Sequence, residues 1–209
     1  GRALELGELR SNIVKGVDID PDGIHALDTE ITNLYLIRGK GRTAHILKES
    51  ESLIAWATRL EEWDACAQMY MSLGSEKLFL GESEEGREHI LKALSLTREY
   101  RLRRIVEVLN RLCFVSIRMG DLDSAHDYAR EATLAAESWG DTLGVARAYT
   151  MMSRVKWQAG DLNTAEFYVG EAAIRFDRIG SMRGLAEVWN TRGELARARG
   201  DLEAAEVSY

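Results

Sequence analysis

Apolar residues recur along this chain with a helical spacing, and glycine-centred turns interrupt them at a regular interval. Over most of the chain the apolar positions repeat every three or four residues, as in helices that bury one face. A Gly-Asp-Leu triplet begins at Gly120, Gly160 and Gly200, with a spacing of 40 residues. Looser copies begin at Gly81 and Gly39. A fixed period of this length indicates an array of repeated structural units.

This pattern predicts antiparallel helix pairs, in which we name the first member helix A and the second helix B. Residues 1–23 are predicted to form a partial leading helix and a loop around Pro21, the single proline. Residues 24–209 are predicted to form one solenoid of about five repeats, the last one truncated. The predicted helices are 24–38 and 42–58, 61–79 and 83–98, 102–119 and 122–138, 142–159 and 162–178, and 182–199 with a partner from 202.

The glycine triplets give a physical reason for each turn and for the packing that follows it. Glycine tolerates the left-handed conformation that ends a helix, and the next aspartate caps the following helix through its side-chain oxygen. A small residue then falls where two helix backbones would approach closely, at Ala125, Ala165 and Ala205. Twelve residues earlier each unit has another small position. These positions hold Cys113, Ser153 and Gly193, with Gly74 and Thr32 in the earlier units.

Each unit thus has a small position in helix A and another in helix B, and a large residue precedes the small position of helix A. This arrangement resembles the repeats of the tetratricopeptide repeat family. The large residues are Tyr70, Leu109, Tyr149 and Trp189. The 40-residue period is similar to the long repeats of kinesin light chains and of bacterial signalling and regulatory proteins. The resemblance implies an all-α fold, a right-handed superhelix of antiparallel helix pairs in which helix A lines a concave groove. Asp28 and Glu51 depart from the pattern in the first unit.

If helix A lines the groove, its exposed positions are the candidate binding residues. Arginines beside large apolar groups suit a peptide that carries carboxylates and one or two hydrophobic anchors. A solvated charged face, with Phe114 and Trp157 serving as core between units, is the open alternative. The candidates are Arg111, Phe114, Arg118, Arg147, Met151, Arg154, Trp157, Glu187, Asn190, Glu194 and Arg197, and Glu107, Asn110, Thr150 and Thr191 fall on the same faces.

Composition narrows the class of partner and the compartment. The formal net charge of −7 makes nucleic acid a poor candidate, because phosphate backbones require an excess of lysine and arginine. Two cysteines, Cys66 and Cys113, are too few for a disulfide framework or a zinc site and favour a cytoplasmic location. No apolar run reaches the roughly 20 residues that span a bilayer, so no membrane association is expected.

The sequence offers no catalytic group and no convincing metal site. His25, His45, His89 and His126 are scattered over different units without a partner at ligand or triad spacing. The segment from Asp18 to Gly23 matches the first half of a calcium loop, but Thr29 holds the twelfth position, where a bidentate carboxylate is required. A proline-containing turn explains it better, although cation binding stays open. We expect no enzyme activity, no cofactor and no metal.

The expected function is therefore a non-catalytic scaffold that binds a protein or peptide within a larger signalling or regulatory protein. The alternative is a sensor arm of a multidomain ATPase, kinase or transcriptional regulator, which responds to a small effector or peptide or docks on its own neighbouring domains. The chain lacks an initial methionine and stops inside a predicted helix. We expect it to be a segment of a longer protein, and we expect self-association through its uncapped C-terminal end.

Overall fold

The computed structural model describes residues 24–37 and 43–208, and the regular structure in these ranges is entirely helical. The predicted leading helix and loop, with the Asp18, Asp20 and Asp22 carboxylates, lie outside the described residues. The helices are α1 (Ile24–Ile37), α2 (Thr43–Arg59), α3 (Trp63–Phe79), α4 (Ser83–Glu99), α5 (Ile105–Met119), α6 (Leu122–Ser138), α7 (Thr142–Gln158), α8 (Leu162–Arg178), α9 (Met182–Arg199) and α10 (Leu202–Ser208).

The observed helices confirm the predicted all-α fold and most of the predicted boundaries. Two helices begin at least two residues later than predicted, α3 at Trp63 and α5 at Ile105. The turns before them contain Glu61 and Arg101, which adopt positive φ angles of 57° and 52°. A non-glycine residue in this conformation is hard to predict, because its side chain opposes the left-handed backbone.

The chain divides into two compact units, residues 1–104 and 105–209. In the first unit α1 packs on α2, α2 on α3, and α3 on α4. In the second unit each helix from α5 to α10 packs on the next one. The helices A of the second unit also contact one another, α5 with α7 and α7 with α9, so they share one face. The single solenoid span of 24–209 stays a prediction.

The Gly-Asp-Leu turns have the conformation that their sequence predicts. Gly120 and Gly160 adopt left-handed φ angles of 77° and 81°. The carboxylates of Asp121 and Asp161 then accept hydrogen bonds of 3.1 Å from the backbone N–H groups three residues later, which caps α6 and α8. In the looser upstream copy, Glu82 precedes α4 and makes no side-chain cap. Aspartate therefore contributes to the turn in a way that the longer glutamate does not.

Small residues occupy the closest helix contacts in both units. Ala125 and Ala165 are fully buried, and so are Cys113 and Ser153 on the helices they face. In the first unit a Cβ atom on Gly74 would lie 2.6 Å from the carbonyl oxygen of Gly86, so α3 and α4 meet backbone to backbone. The predicted small positions thus set the distance between paired helices.

The prediction for the first helix pair is wrong at its small position. Thr32 is exposed, and its hydroxyl donates a 2.8 Å hydrogen bond to the carbonyl oxygen of Asp28 on its own helix. Asp28 and Glu51 are exposed as well. The buried polar residues in this pair are Thr29 and Ser50 instead. The inward face of α1 is therefore rotated relative to the repeat alignment.

Candidate functional site

An open cavity of about 380 Å³ lies on the helix A face of the second unit. Helices α5, α7 and α9 each contribute side chains to it. We name it the helix A cavity, and the predicted binding residues that line it are Arg111, Phe114, Arg147, Met151, Arg154 and Glu187. The remaining lining residues are Glu107, Asn110 and Arg183.

The repeat period explains why these side chains meet. Glu107, Arg147 and Glu187 are separated by 40 residues and occupy equivalent positions in successive helices A. Within α7, Met151 and Arg154 follow Arg147 by four and seven residues, which places all three on one side of the helix. Because α5, α7 and α9 contact one another in order, these sides combine into one continuous lining.

The lining is positively charged although the chain is acidic. It contains the arginines 111, 147, 154 and 183 and only two glutamates, Glu107 and Glu187. The whole chain has a formal net charge of −7. A local excess of guanidinium groups in a concave site attracts anions by focusing the electrostatic field. Phe114 and Met151 add half-buried apolar surface beside these charges.

Arg154 is the most desolvated cation of the cavity. Burial lowers the pKa of its guanidinium, and the carboxylates of Glu187 and Glu194 oppose this decrease. The group still carries its charge at neutral pH, because an arginine pKa starts far above 7. Among the described residues its guanidinium forms no hydrogen bond. Arg154 therefore has donors available for a ligand and little water to screen them.

Asn110 presents an unsatisfied carboxamide at the same cavity. Its Oδ1 and Nδ2 atoms are both buried and have no hydrogen-bond partner among the described residues. A buried polar group without a partner costs about 1–3 kcal/mol of stability. A carboxamide has both a donor and an acceptor, so a peptide group of a ligand matches it. This is the strongest local indication that the cavity takes a polar ligand.

Glu187 forms an ion pair with Arg183 and influences the pKa of Arg154. Its Oε1 atom lies 3.6 Å from Nε of Arg183, four residues earlier on α9. It is also the first of the carboxylates that oppose the decrease in the pKa of Arg154 on α7. Glu194, the second such carboxylate, does not line the cavity and lies 3.5 Å from Nη1 of Arg197.

Several sequence-predicted residues lie outside the lining. Trp157 is half-buried and packs against the core of the second unit, in agreement with the structural alternative. The exposed placement of Thr150 and Thr191 was wrong, because both are buried and donate hydrogen bonds to the carbonyl oxygens of Ala146 and Glu187. A threonine hydroxyl that bonds to its own helix needs no water. The other candidates outside the lining are Arg118, Asn190, Glu194 and Arg197.

Sequence reasoning missed Arg183. The residue lies in the first turn of α9, and its side chain is 86% exposed. The predicted groove positions of this helix begin at Glu187 and omit the preceding turn. Extending the same spacing four residues backward from Glu187 would have found it.

A larger open cavity of about 490 Å³ lies elsewhere on the second unit, between α8 and α9. Its lining includes the exposed apolar residues Phe167 and Ile174. Two of its charged pairs are formed within the protein: Arg199 lies 3.6 Å from Glu166, and Glu171 lies 2.7 Å from Arg175. The guanidinium of Arg192 lies 5.4 Å from the centroid of the Trp189 ring, and its Nε atom is buried without a hydrogen-bond partner among the described residues. We take the helix A cavity as the candidate site, because three successive helices A, which contact one another in order, contribute residues at repeat-equivalent positions to its lining.

The described residues form neither a metal site nor a reactive thiol. No group of three or more His, Cys, Asp or Glu side chains in these ranges is arranged to hold a metal ion. Cys66 and Cys113 are buried free thiols, and burial raises the pKa of Cys113 to about 12, which makes a reactive thiolate unfavourable. None of the described helices combines the length and apolar character needed to cross a membrane.

Comparison with known proteins identifies the repeat and the fold. Residues 67–100 match the family model "Tetratricopeptide repeat". No curated protein matches the sequence. The structure resembles BtubC from P. vanneervenii with a TM-score of 0.77, 16% identity, 99% coverage of this chain and 85% of that chain.

Two further solved structures have the same helical repeat fold. A Rap protein complexed with competence and sporulation factor has a TM-score of 0.74 and 18% identity, and the match covers 99% of this chain but only 56% of that one. A putative kinesin light chain with TPR-like repeats from Podospora anserina has a TM-score of 0.63 and 10% identity, with coverage of 86% and 87%. The resemblance to tetratricopeptide repeat proteins is thereby confirmed.

Proposed function

Because the chain contains a tetratricopeptide repeat and has the fold of repeat solenoids, we propose that it is a non-catalytic scaffold that binds a protein or peptide in the helix A cavity. The observation that carries the proposal is that the unpartnered carboxamide of Asn110 and the guanidinium of Arg154 belong to the lining of the same cavity. Both are suited to the polar groups of a peptide backbone or side chain. Phe114 and Met151 supply apolar contact for an anchoring side chain.

The chemistry of the lining supports a binding role rather than a catalytic one. It contains arginine, glutamate, asparagine, phenylalanine and methionine, and no Ser, Cys or His nucleophile paired with a base. The structure of the Rap protein is a complex, which supports ligand binding on this type of fold. The two buried free thiols are consistent with a reducing, cytoplasmic setting. We place the scaffold within a larger signalling or regulatory protein.

A second candidate function is a sensor that binds a small anionic effector at the same cavity. The volume of about 380 Å³ favours it, because pockets for small molecules range from about 300 to 1,000 Å³. The two functions are separated by measuring whether the wild-type chain binds a peptide or a small dicarboxylate. Under the scaffold proposal, succinate competes with bound peptides only weakly, because it makes no contact with the apolar residues.

The test is a selection of random heptapeptides displayed on phage against the wild-type chain. Recovered peptides are synthesised and titrated against a double variant, Arg147→Ala with Arg154→Ala, and against Arg130→Ala as a control on the exposed surface of α6. We expect the double variant to bind at least about tenfold more weakly and the control to bind normally. Circular dichroism checks that each variant is folded. If none of the recovered peptides depends on Arg147 and Arg154 for its binding, the scaffold function is rejected.

A further inference from the structure

The solvent-facing side of α8 carries an apolar stripe, which we name the α8 stripe and which consists of Phe167, Gly170 and Ile174. The two large side chains are 62% and 63% exposed, and the spacing places all three residues on one side of the helix. The equivalents of the first two residues in α6 are Asp127 and Arg130, which form a 3.9 Å ion pair and stay exposed although α8 follows them in the repeat. The position is therefore open in the repeat itself, and α8 places an aromatic ring and a glycine where α6 has two charges.

Gly170 is not explained by packing within the chain. Glycine inside a helix is less favourable than alanine. At Gly74, Gly86, Gly144 and Gly184 close packing gives a reason for it, because a Cβ atom on each would lie within 3 Å of another group. A Cβ atom on Gly170 would meet no atom within 4 Å. A helix surface without a Cβ atom lets another backbone approach closely, as α3 and α4 do within the first unit.

We propose that the α8 stripe is a self-association surface, on which a second copy of this chain packs its own α8 in antiparallel orientation, with the two helices crossing at Gly170. A two-fold interface brings the same patch of both copies together, so the patch must complement itself. Phe167 precedes Gly170 by three residues, and Ile174 follows it by four. In an antiparallel crossing Phe167 of one copy therefore faces Ile174 of the other, on both sides of the close contact.

Charge complementarity favours a second copy over an unrelated helix. The same crossing places Glu166 of one copy opposite Ala173 of the other. Arg192 lines the same cavity as Ala173 and forms no ion pair among the described residues, and its Nε atom has no hydrogen-bond partner there. Glu166 lies 3.6 Å from Arg199 in the free chain. Exposed pairs of this kind are weak, so the carboxylate can turn to Arg192 of the second copy.

This surface is separate from the two binding surfaces that the sequence predicts. Helix α8 contributes no residue to the helix A cavity, so the inference does not depend on the proposed peptide binding. The α8 stripe also lies outside the C-terminal end, where the sequence predicts self-association. A single helix crossing buries less area than a standard interface, so we expect a dimer dissociation constant above about 1 μM.

The test replaces the stripe with the residues that α6 carries. Phe167→Asp with Gly170→Arg reproduces the pair of Asp127 and Arg130, which the repeat already accommodates on an exposed helix face. Leu202→Glu, at a 72% exposed position of α10, is the matched control for the C-terminal end. Sedimentation equilibrium of the full chain, at concentrations up to about 1 mM, measures the dissociation constant. Circular dichroism checks that each variant is folded.

We expect the wild type to form dimers and no larger species, because a two-fold interface closes on itself. The double variant should weaken dimerisation at least about tenfold, and Leu202→Glu should change it by less than about twofold. Gly170→Ala should weaken it by about fivefold, because the added Cβ atom separates the two backbones. The same substitution favours the helix of the free chain, so loss of folding cannot explain the weaker association.

Disulfide formation tests the orientation of the two helices. A mixture of Phe167→Cys and Ile174→Cys chains should form a cross-linked dimer with diamide as the oxidant, because the two positions face each other across the interface. Each variant by itself should cross-link much less. The native thiols of Cys66 and Cys113 are buried and do not compete.

Three results would overturn the inference. A wild-type chain that stays monomeric over this range of concentration would reject the second copy and leave the α8 stripe to a helix of another protein. Dimerisation that Leu202→Glu weakens and the double variant does not would assign the association to the C-terminal end. Cross-linking within each single variant, rather than in the mixture, would contradict the antiparallel crossing. None of these results affects the helix A cavity, whose test is peptide binding.

Discussion

The hydroxyl of Ser153 on α7 donates a 2.8 Å hydrogen bond to the carbonyl oxygen of Ala165 on α8. Both residues are fully buried, and both belong to the small positions that recur along the chain. The bond joins a helix A to its helix B at their closest contact. Position 153 therefore requires a side chain that is both small and able to donate a hydrogen bond.

We predict that Ser153→Ala lowers the free energy of unfolding by about 1 kcal/mol, because the helix contact survives but the bond is lost. Ser153→Leu should cost more, about 2–3 kcal/mol, because the added carbons overpack the contact between α7 and α8. Urea unfolding followed by circular dichroism measures both. Equal losses for the two variants would show that the position does not require a small residue.

A matched pair of glycine substitutions tests the closest helix contact of the first unit. A Cβ atom at Gly74 would lie 2.6 Å from both the Gly86 carbonyl oxygen and the Cγ1 atom of Ile90, whereas one at Gly170 meets no atom within 4 Å. We predict that Gly74→Ala destabilises the chain by about 1–2 kcal/mol despite the better helix propensity of alanine. Gly170→Ala should stabilise it by about 0.5–1 kcal/mol.

Thermal unfolding of both variants, compared with the wild type, gives the sign of each effect. The two substitutions are chemically identical and both lie inside helices, so intrinsic propensity cannot explain opposite signs. If both variants are stabilised, the backbones of α3 and α4 separate at little cost, and the close contact is not a constraint.

Arg101, a non-glycine residue with a left-handed backbone between two helix pairs, is a position where a substitution should stabilise the chain. Arg101 has a φ of 52°, whereas glycine occupies the corresponding turns at Gly140 and Gly180 with φ of 65°. We predict that Arg101→Gly raises the free energy of unfolding by about 0.5–1 kcal/mol, since relief of the strained backbone exceeds the added entropy of the unfolded chain. The reverse substitution, Gly140→Arg, should lower it by about 1 kcal/mol. Urea midpoints that move in the same direction would contradict the prediction.

His89 predicts a specific dependence of stability on pH. Its ring stacks on Tyr70 with 6.3 Å between centroids, and its Nδ1 atom is buried without a partner. Burial lowers the pKa of His89, Lys92 and Lys77 lower it further, and Glu85 and Glu88 oppose them. The unfolded chain therefore binds this proton more tightly than the folded chain. Stability is fully present above the ordinary histidine pKa of about 6.5 and is lost as pH falls below it.

The test replaces His89 with tyrosine, the residue found at the equivalent position 168, where its ring lies 5.5 Å from that of Tyr149. From about pH 7.5 to about pH 5.5, the urea midpoint of His89→Tyr should fall less than that of the wild type. His126→Tyr, at a more exposed histidine on α6, serves as the matched control. Parallel curves for wild type and His89→Tyr would show that His89 is not responsible.

Local sequence was sufficient to predict the helix pairs and their turns. Gly120 and Asp121 act within a few residues of each other, so their conformation follows from glycine geometry and side-chain capping. Ser153 and Ala165 could be identified as contact positions because the same spacing recurs in several units. The alignment failed at Thr32, where a single departing unit provides no such repetition and the inward face of α1 is rotated.

The candidate site was only partly predictable. Arg147, Met151 and Arg154 could be placed on one side of α7 from helical spacing alone. Thr150 and Trp157 lie near the edge of that side, where a small rotation of the helix about its axis decides whether a side chain faces the cavity or the core. Spacing within one helix says nothing about this, because the neighbouring helices determine which edge is covered.

The sequence by itself determined the repeat, the turns and the small helix contacts, because these depend on residues that are close in the chain or repeated at a constant period. Only the tertiary structure decided that Asn110 lacks a partner and that Glu187 acts on Arg154. Both facts depend on how side chains of different helices A, which are distant in sequence, are placed around one another. Their separation in space depends on how α5, α7 and α9 pack, and so does the chemistry of the cavity between them.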